Sequence, residues 1–213
     1  MAESLAWARL QPWTVIAPAG DATPHAAVDS DAALVQLDDR ALVEASLAGR
    51  PGAFDQIVER HRRAVYRLCY RFVNNHEDAS DLSQEVFLRA FRGLKTFRGH
   101  ASLATWLYRI GVNVCLNRVS VRTPPLEQID EHPIEDRAES ASERVLRVER
   151  GVLVRAAIAQ LPPKQRATLI LRIYQEMSHQ EIADLLGSSV GAVKANLFHA
   201  LGNLKKLIGE ERP

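Results

Sequence analysis

Between residues 54 and 118 apolar side chains recur at i, i+3 and i+4 almost without a break, a spacing that suits helices and little else. Phe54, Ile57, Val58, Val65, Leu68, Cys69 and Phe72 trace one face of a helix that ends at Asn74-Asn75. Leu82, Val86, Phe87, Ala90, Phe91 and Leu94 trace a second. After a Gly-containing turn at 95–101, Leu103, Leu107, Ile110, Val114 and Leu116 trace a third, starting near Ser102. A shorter pattern from Asp39 to Gly49, with Pro51 just beyond, reads as a helix with its stop signal. The expectation is all-α.

A second helical block follows a break. Residues 122–143 hold three prolines and a run of acids with little period, which reads as an extended acidic linker. Val145 to Gln160 is amphipathic and is stopped by Leu161-Pro162-Pro163. Residues 164–174 resume the pattern, with Ala167, Leu169, Ile170, Leu171 and Ile173 apolar. Ser178-His-Gln-Glu181 is a capping box that opens a short helix through Leu186. Gly187 turns the chain, and Ser188-Ser189 caps a last helix that buries Val190, Val193, Leu197, Ala200, Leu201 and Leu204. The organisation expected is an extension over 1–36, rich in Ala, Pro, Gly and Asp and without a period, then a domain over 37–121. The linker over 122–143 and a second domain over 144–210 complete it.

Composition narrows the classes. No apolar run approaches the roughly 18 residues of a membrane helix, and the first residues lack the basic and apolar regions of a secretory signal. Cys69 and Cys115 lie in apolar helical patterns without metal spacing, as buried thiols of a reducing compartment would. A cytoplasmic protein without membrane insertion is expected. The net charge of +1 hides a segregation. Residues 50–122 carry 13 Lys and Arg against 6 Asp and Glu, and residues 150–213 carry 9 against 5. Between them, residues 123–149 carry 3 against 8. Two basic modules facing a polyanion, with a repelling connector, would have this pattern.

Two constellations bear on function. Helix, Gly turn and helix over 178–208 is the helix-turn-helix arrangement, whose second helix enters the DNA major groove. Opposite its apolar stripe lie Gly191, Ala195, Phe198, His199 and Gly202, flanked by Lys194, Asn196 and Lys206. Lysines suit phosphate, and Asn196 and His199 suit base edges. A plain helical hairpin with a solvated outer face remains an alternative. In the third helix, Trp106, Arg109, Asn113, Asn117 and Arg118 interleave an aromatic, cations and amides beside the Phe97-Arg98 loop. Aromatic faces stack on unpaired bases and amides read extruded ones; Trp106 taken singly reads better as core, and the cluster as a group points to single-stranded DNA. The second helix differs, with Asp78, Asp81, Gln84 and Glu85 on its polar side. No phosphate-binding glycine loop, zinc-protease or serine-hydrolase motif is present. No enzyme activity, cofactor or metal is expected.

Together these segments resemble the extracytoplasmic-function (group IV) sigma factors of the sigma-70 family. DASDLSQEVFLRAFRGL followed by FRGHASLATWLYRIGVNVCLNR is similar to their region 2, and LPPKQRATLILRIYQEMSHQEIADLLGSSVGAVKANLFHALGNLKKLI to their region 4. The resemblance implies a transcription initiation factor that binds bacterial core RNA polymerase through the β′ clamp and β flap. Asp78, Asp81, Leu82, Gln84 and Glu85 would dock on the clamp. Phe97, Arg98, Trp106, Tyr108, Arg109, Asn113, Asn117 and Arg118 would open the promoter −10 element and hold its single strand, with Asn113 at the extruded base. Ser189, Lys194, Asn196, Phe198 and His199 would read the duplex −35 element, and an anti-sigma factor would hold the protein in reserve. His100 stands where relatives often have an acid, and the recognition helix has few arginines, which implies weaker or altered −35 selectivity. A free-standing helix-turn-helix regulator and a protein-only adaptor are the competing readings. The regulator would need neither the Asp81, Gln84 and Glu85 stripe nor a single-strand surface, while the arginine-poor recognition helix keeps the adaptor reading open.

Overall fold

A computed structural model describes residues 33–121 and 141–210. Its elements, in order, are α1 Asp39–Leu47, α2 Ala53–Val73, α3 His76–Gly93, a 3-10 turn Leu94–Thr96 and α4 Leu103–Val121. Then come α5 Ala141–Gln160, α6 Pro163–Tyr174, α7 His179–Leu186 and α8 Val190–Glu210. The described residues are all-α. The extension expected over 1–36 and the linker expected over 122–143 lie largely outside them; where they are described, residues 33–35 are helical and α5 already begins at Ala141.

Each boundary has a local cause. Asp38 caps α1 by accepting a hydrogen bond from the Ala41 N–H at 2.7 Å. Asn74 ends α2 in the left-handed conformation at φ 51°, returning its N–H to the Tyr70 carbonyl, a role a short polar side chain tolerates. The adjacent Asn75 caps α3 through its side chain, which accepts from the Asp78 N–H. One Asn pair thus closes one helix and opens the next. In the second block the capping box forms as its spacing predicts. Ser178 Oγ accepts from the Glu181 N–H, and the Glu181 carboxylate accepts from the Ser178 N–H. Gly187 turns at φ 61°, and Ser189 Oγ accepts from the Ala192 N–H to start α8.

Helices α2, α3 and α4 form a bundle around Ile57, Val65, Leu68, Phe72, Val86 and Leu107, all buried. Helix α4 meets α2 through Gly111, where a Cβ would stand 2.9 Å from Leu68 Cδ2 and 3.7 Å from Val86 Cγ2. Beside this crossing the buried thiols of Cys69 and Cys115 meet. Their mutual hydrogen bond, reinforced by burial, raises Cys115 well above the ordinary thiol range. Gly111, Val112 and Cys115 therefore add a buried face to α4 beyond the stripe read from its leucines.

Helix α6 is enclosed on nearly all sides, with Arg166 through Leu171 consecutively buried. It packs on α8, where the Asn203 amide donates to Gln165 Oε1 at 2.9 Å, and on α2 and α4. Three side chains assigned to buried stripes are exposed instead. Phe91, at 60 %, lies at the margin of the α3 stripe and meets Phe54 edge-on, with ring centroids 4.9 Å apart. Leu201, at 50 %, lies off the line of Val193 and Ala200 by which α8 is seated, and Ile173 is in the last turn of α6.

Candidate nucleic-acid interface

The acidic side of α3 is built by its register. With Ala79, Val86 and Ala90 turned inward, Asp81 is exposed and Gln84 and Glu85 are half-exposed. Glu85 is joined to Arg89 one turn on, Arg89 Nε to Glu85 Oε1 at 2.6 Å. Acids early in a helix are favoured by its dipole, and the first turn holds Glu77 and Asp78. Leu82 belongs to the core, with 7 % of its surface exposed. It supports this face from beneath. Asp78 is paired with Arg118 of α4, which ties a residue of the acidic helix to one of the basic set.

On α4, Arg109, Asn113 and Asn117 are spaced by four residues and form one exposed edge. Trp106 is half-buried, 5.5 Å between centroids from Phe97, and its ring lies over Gly93. It packs against the loop through Phe97 and leaves part of its surface open. Phe97, Arg98 and Gly99 line a cleft of about 410 Å³ whose other wall is Asp39, Arg40, Glu44 and Leu47 of α1. Sequence reasoning gave α1 no part in this site. Asp39 there is held by Arg60 at 2.8 Å and by His61 at 3.0 Å. Asn113 does not line the cleft. His100 is exposed beside Gly99, whose φ of 70° gives the loop its turn.

Tyr108 is half-buried near Arg67 and Arg71, and burial raises its phenol above the usual range despite those cations. Arg109 Nη2 donates to the Asp184 carbonyl of α7 at 3.0 Å. On α8, Gly191, Lys194, Ala195, Phe198, His199 and Gly202 are exposed, and Asn196 is half-buried. Phe198, at 76 %, stands edge-on to His199 with centroids 5.7 Å apart. Ser189 spends its hydroxyl on the helix cap.

A helix-turn-helix module beside a bundle with an acidic helix and an arginine–amide edge defines a DNA-directed protein of the transcription machinery. Family comparison identifies which. Residues 57–123 match Sigma-70 region 2 and residues 152–204 match Sigma-70, region 4. The RNA polymerase sigma-H factor of Pseudomonas aeruginosa is 33% identical over 186 residues, covering 82% of this chain and 96% of that protein. The ECF RNA polymerase sigma factor SigM of Mycobacterium tuberculosis is 37% identical over 175 residues, covering 80% and 85%. Among solved structures, CnrH in complex with the cytosolic domain of CnrY superposes with a TM-score of 0.59 at 26% identity, covering 82% of this chain and 99% of that one. RpoE in complex with the anti-sigma factor NepR from Bartonella quintana shares the fold, with a TM-score of 0.57 at 20% identity over 76% and 99%. The chain belongs to the ECF sigma factors of the sigma-70 family. Its function is alternative-sigma transcription initiation. Among the described residues no helix is long and apolar enough to cross a membrane.

Proposed function

We propose that this factor docks on the β′ clamp of core RNA polymerase through Asp81, Gln84 and Glu85, with Asp78 and the buried Leu82 supporting that face. The edge Arg109, Asn113 and Asn117 and the loop Phe97-Arg98 take the non-template strand of the −10 element, and the cleft against α1 receives an extruded base. Lys194, Asn196, Phe198 and His199 read the −35 duplex from α8, while Ser189 fixes where that helix begins. Region 4 meets the β flap, and an anti-sigma factor withholds the protein from polymerase. It acts in the cytoplasm, without catalysis of its own.

The observation that carries this reading is the division of labour within one bundle. An exposed acidic patch on α3 and an exposed arginine–amide edge on α4 stand on adjacent helices, where a free-standing repressor would need neither. Electrostatic complementarity suits the first to a basic protein surface and the second to a phosphate backbone. The test is transcription in vitro with core polymerase on the protein's own upstream DNA and on genomic fragments. Initiation that depends on the added protein is expected; its absence on every template would overturn the reading.

A further inference from the structure

Helix α2 carries five arginines, and they fall into two sets. Arg60 and Arg62 face acids, Arg60 donating to Asp39 at 2.8 Å and Arg62 to Glu59 at 2.7 Å. Arg63, Arg67 and Arg71 recur every four residues, which lines them up on one side of the helix over about 12 Å. Among the described residues no acid pairs with any of these three. Arg63 and Arg67 are exposed, and Arg71 is half-buried against the Tyr174 ring. Like charges one turn apart repel. Arg71 registers this, its pKa being lowered by burial first and also by the Arg67 guanidinium. A helix with acids on two arginines and none on a row of three offers that row to a polyanion.

The row adjoins the basic edge of α4. Helices α2 and α4 pack together, and the charges of Arg67 and Arg71 both act on the Tyr108 phenol. The next residue, Arg109, begins the exposed edge Arg109, Asn113 and Asn117. The two cationic sets thus adjoin at Tyr108. Tyr66 and Tyr70, the rings of α2 nearest the row in sequence, are stacked with His76 at centroid distances of 6.3 and 4.5 Å. The row therefore offers charge rather than a ring for base stacking.

We propose that the single-strand surface of region 2 extends past Tyr108 onto α2, where Arg67 and Arg63 hold backbone phosphates of the non-template strand. This rests on the assignment of Arg109, Asn113 and Asn117 to that strand. Phosphate contacts fix register and add affinity without reading sequence, so base choice stays with α4 and its loop.

The test uses the complex of the full-length chain with core polymerase and a fluorescein-labelled single strand of random sequence. Binding is read by fluorescence polarisation from about 50 to about 200 mM salt, with core polymerase alone as the blank. Each phosphate contact on a single strand contributes about 0.7 to the slope of log K against log salt. Arg67→Gln and Arg63→Gln should each make the slope shallower by about 0.7, and the double variant by about 1.4, with helicity by circular dichroism unchanged. Arg67→Lys keeps the charge and should hold the slope. Arg62→Gln removes the same charge from the acid-paired set and should match the wild type. An unchanged slope in the double variant, or an equal loss in Arg62→Gln, overturns the contact. Arg109→Ala, measured alongside, separates the two readings. If it weakens binding while the α2 variants do not, the extension onto α2 falls alone; if neither weakens binding, the −10 assignment falls with it.

Discussion

Gly111 offers a measurement in which packing and backbone propensity pull in opposite directions. Replacing glycine by alanine inside a helix ordinarily stabilises by about 1 kcal/mol. At Gly111 the added methyl would stand 2.9 Å from Leu68 Cδ2, and Leu68 is fully buried. Overpacking of this kind costs about 1–3 kcal/mol. Taking its middle, Gly111→Ala should destabilise by about 1 kcal/mol net, and Gly111→Val by several times more. Leu68→Ala alone removes a buried isobutyl group and should cost about 2–5 kcal/mol. The double variant places the new methyl in the space that Leu68 vacates. It should therefore be more stable than the two single changes predict by at least ~1 kcal/mol, a coupling expected of side chains in contact. Urea unfolding followed by circular dichroism reads all four proteins. A stabilised Gly111→Ala with no coupling to Leu68→Ala would refute the close crossing of α2 and α4.

Other expectations follow from the exposed faces. Asp81→Arg should lose most of its association with core polymerase in a pull-down while keeping its melting temperature, because Asp81 is exposed; intact association would remove α3 from the polymerase interface. Phe97→Ala should weaken single-strand binding by about 1–3 kcal/mol if its ring stacks on a base, read by fluorescence polarisation with the polymerase complex. His199→Ala should weaken binding to a duplex −35 element, and no loss there would withdraw the base contact from that residue. The Glu181 carboxyl is held below its usual range by the side-chain and backbone hydrogen bonds of Ser178. A carboxyl depressed in the folded state contributes stability that is present above its unfolded pKa and lost as pH falls through the folded one. Thermal melts of the protein should therefore keep this contribution down to about pH 4.3, the ordinary glutamate value, and lose it below that, with a smaller loss in Glu181→Gln.

The helices and their caps were legible because their causes are local. Asn74-Asn75, the Ser178 capping box and Gly187 act within four residues, and each does what its spacing predicts. The acidic face of α3 and the spacing of Arg109, Asn113 and Asn117 could likewise be read from a helical wheel. What escaped depends on partners distant in sequence. The cleft wall from α1, the second buried face of α4 and the Arg118–Asp78 pair all join segments that no periodicity connects. Phe91, Leu201 and Ile173 were misassigned because a stripe read from one helix does not say how wide its neighbours are. Arg166 left no signal of its burial, because behind Lys164 and Gln165 it reads as one more polar residue at the start of a helix. Its guanidinium donates to the Phe72 carbonyl, 94 residues away in sequence.

The glycine crossing also has a consequence for how far apart the factor's two proposed hands are held. Helix α2 is the beam against which both α3 and α4 are laid, and at Gly111 the second of them lies as near as a backbone without a side chain permits. The separation between an acidic patch on α3 and a basic edge on α4 is then set by rigid helix diameters rather than by any loop. Loops between these helices can change in sequence and alter which bases are preferred, while the gauge between polymerase and DNA strand stays fixed.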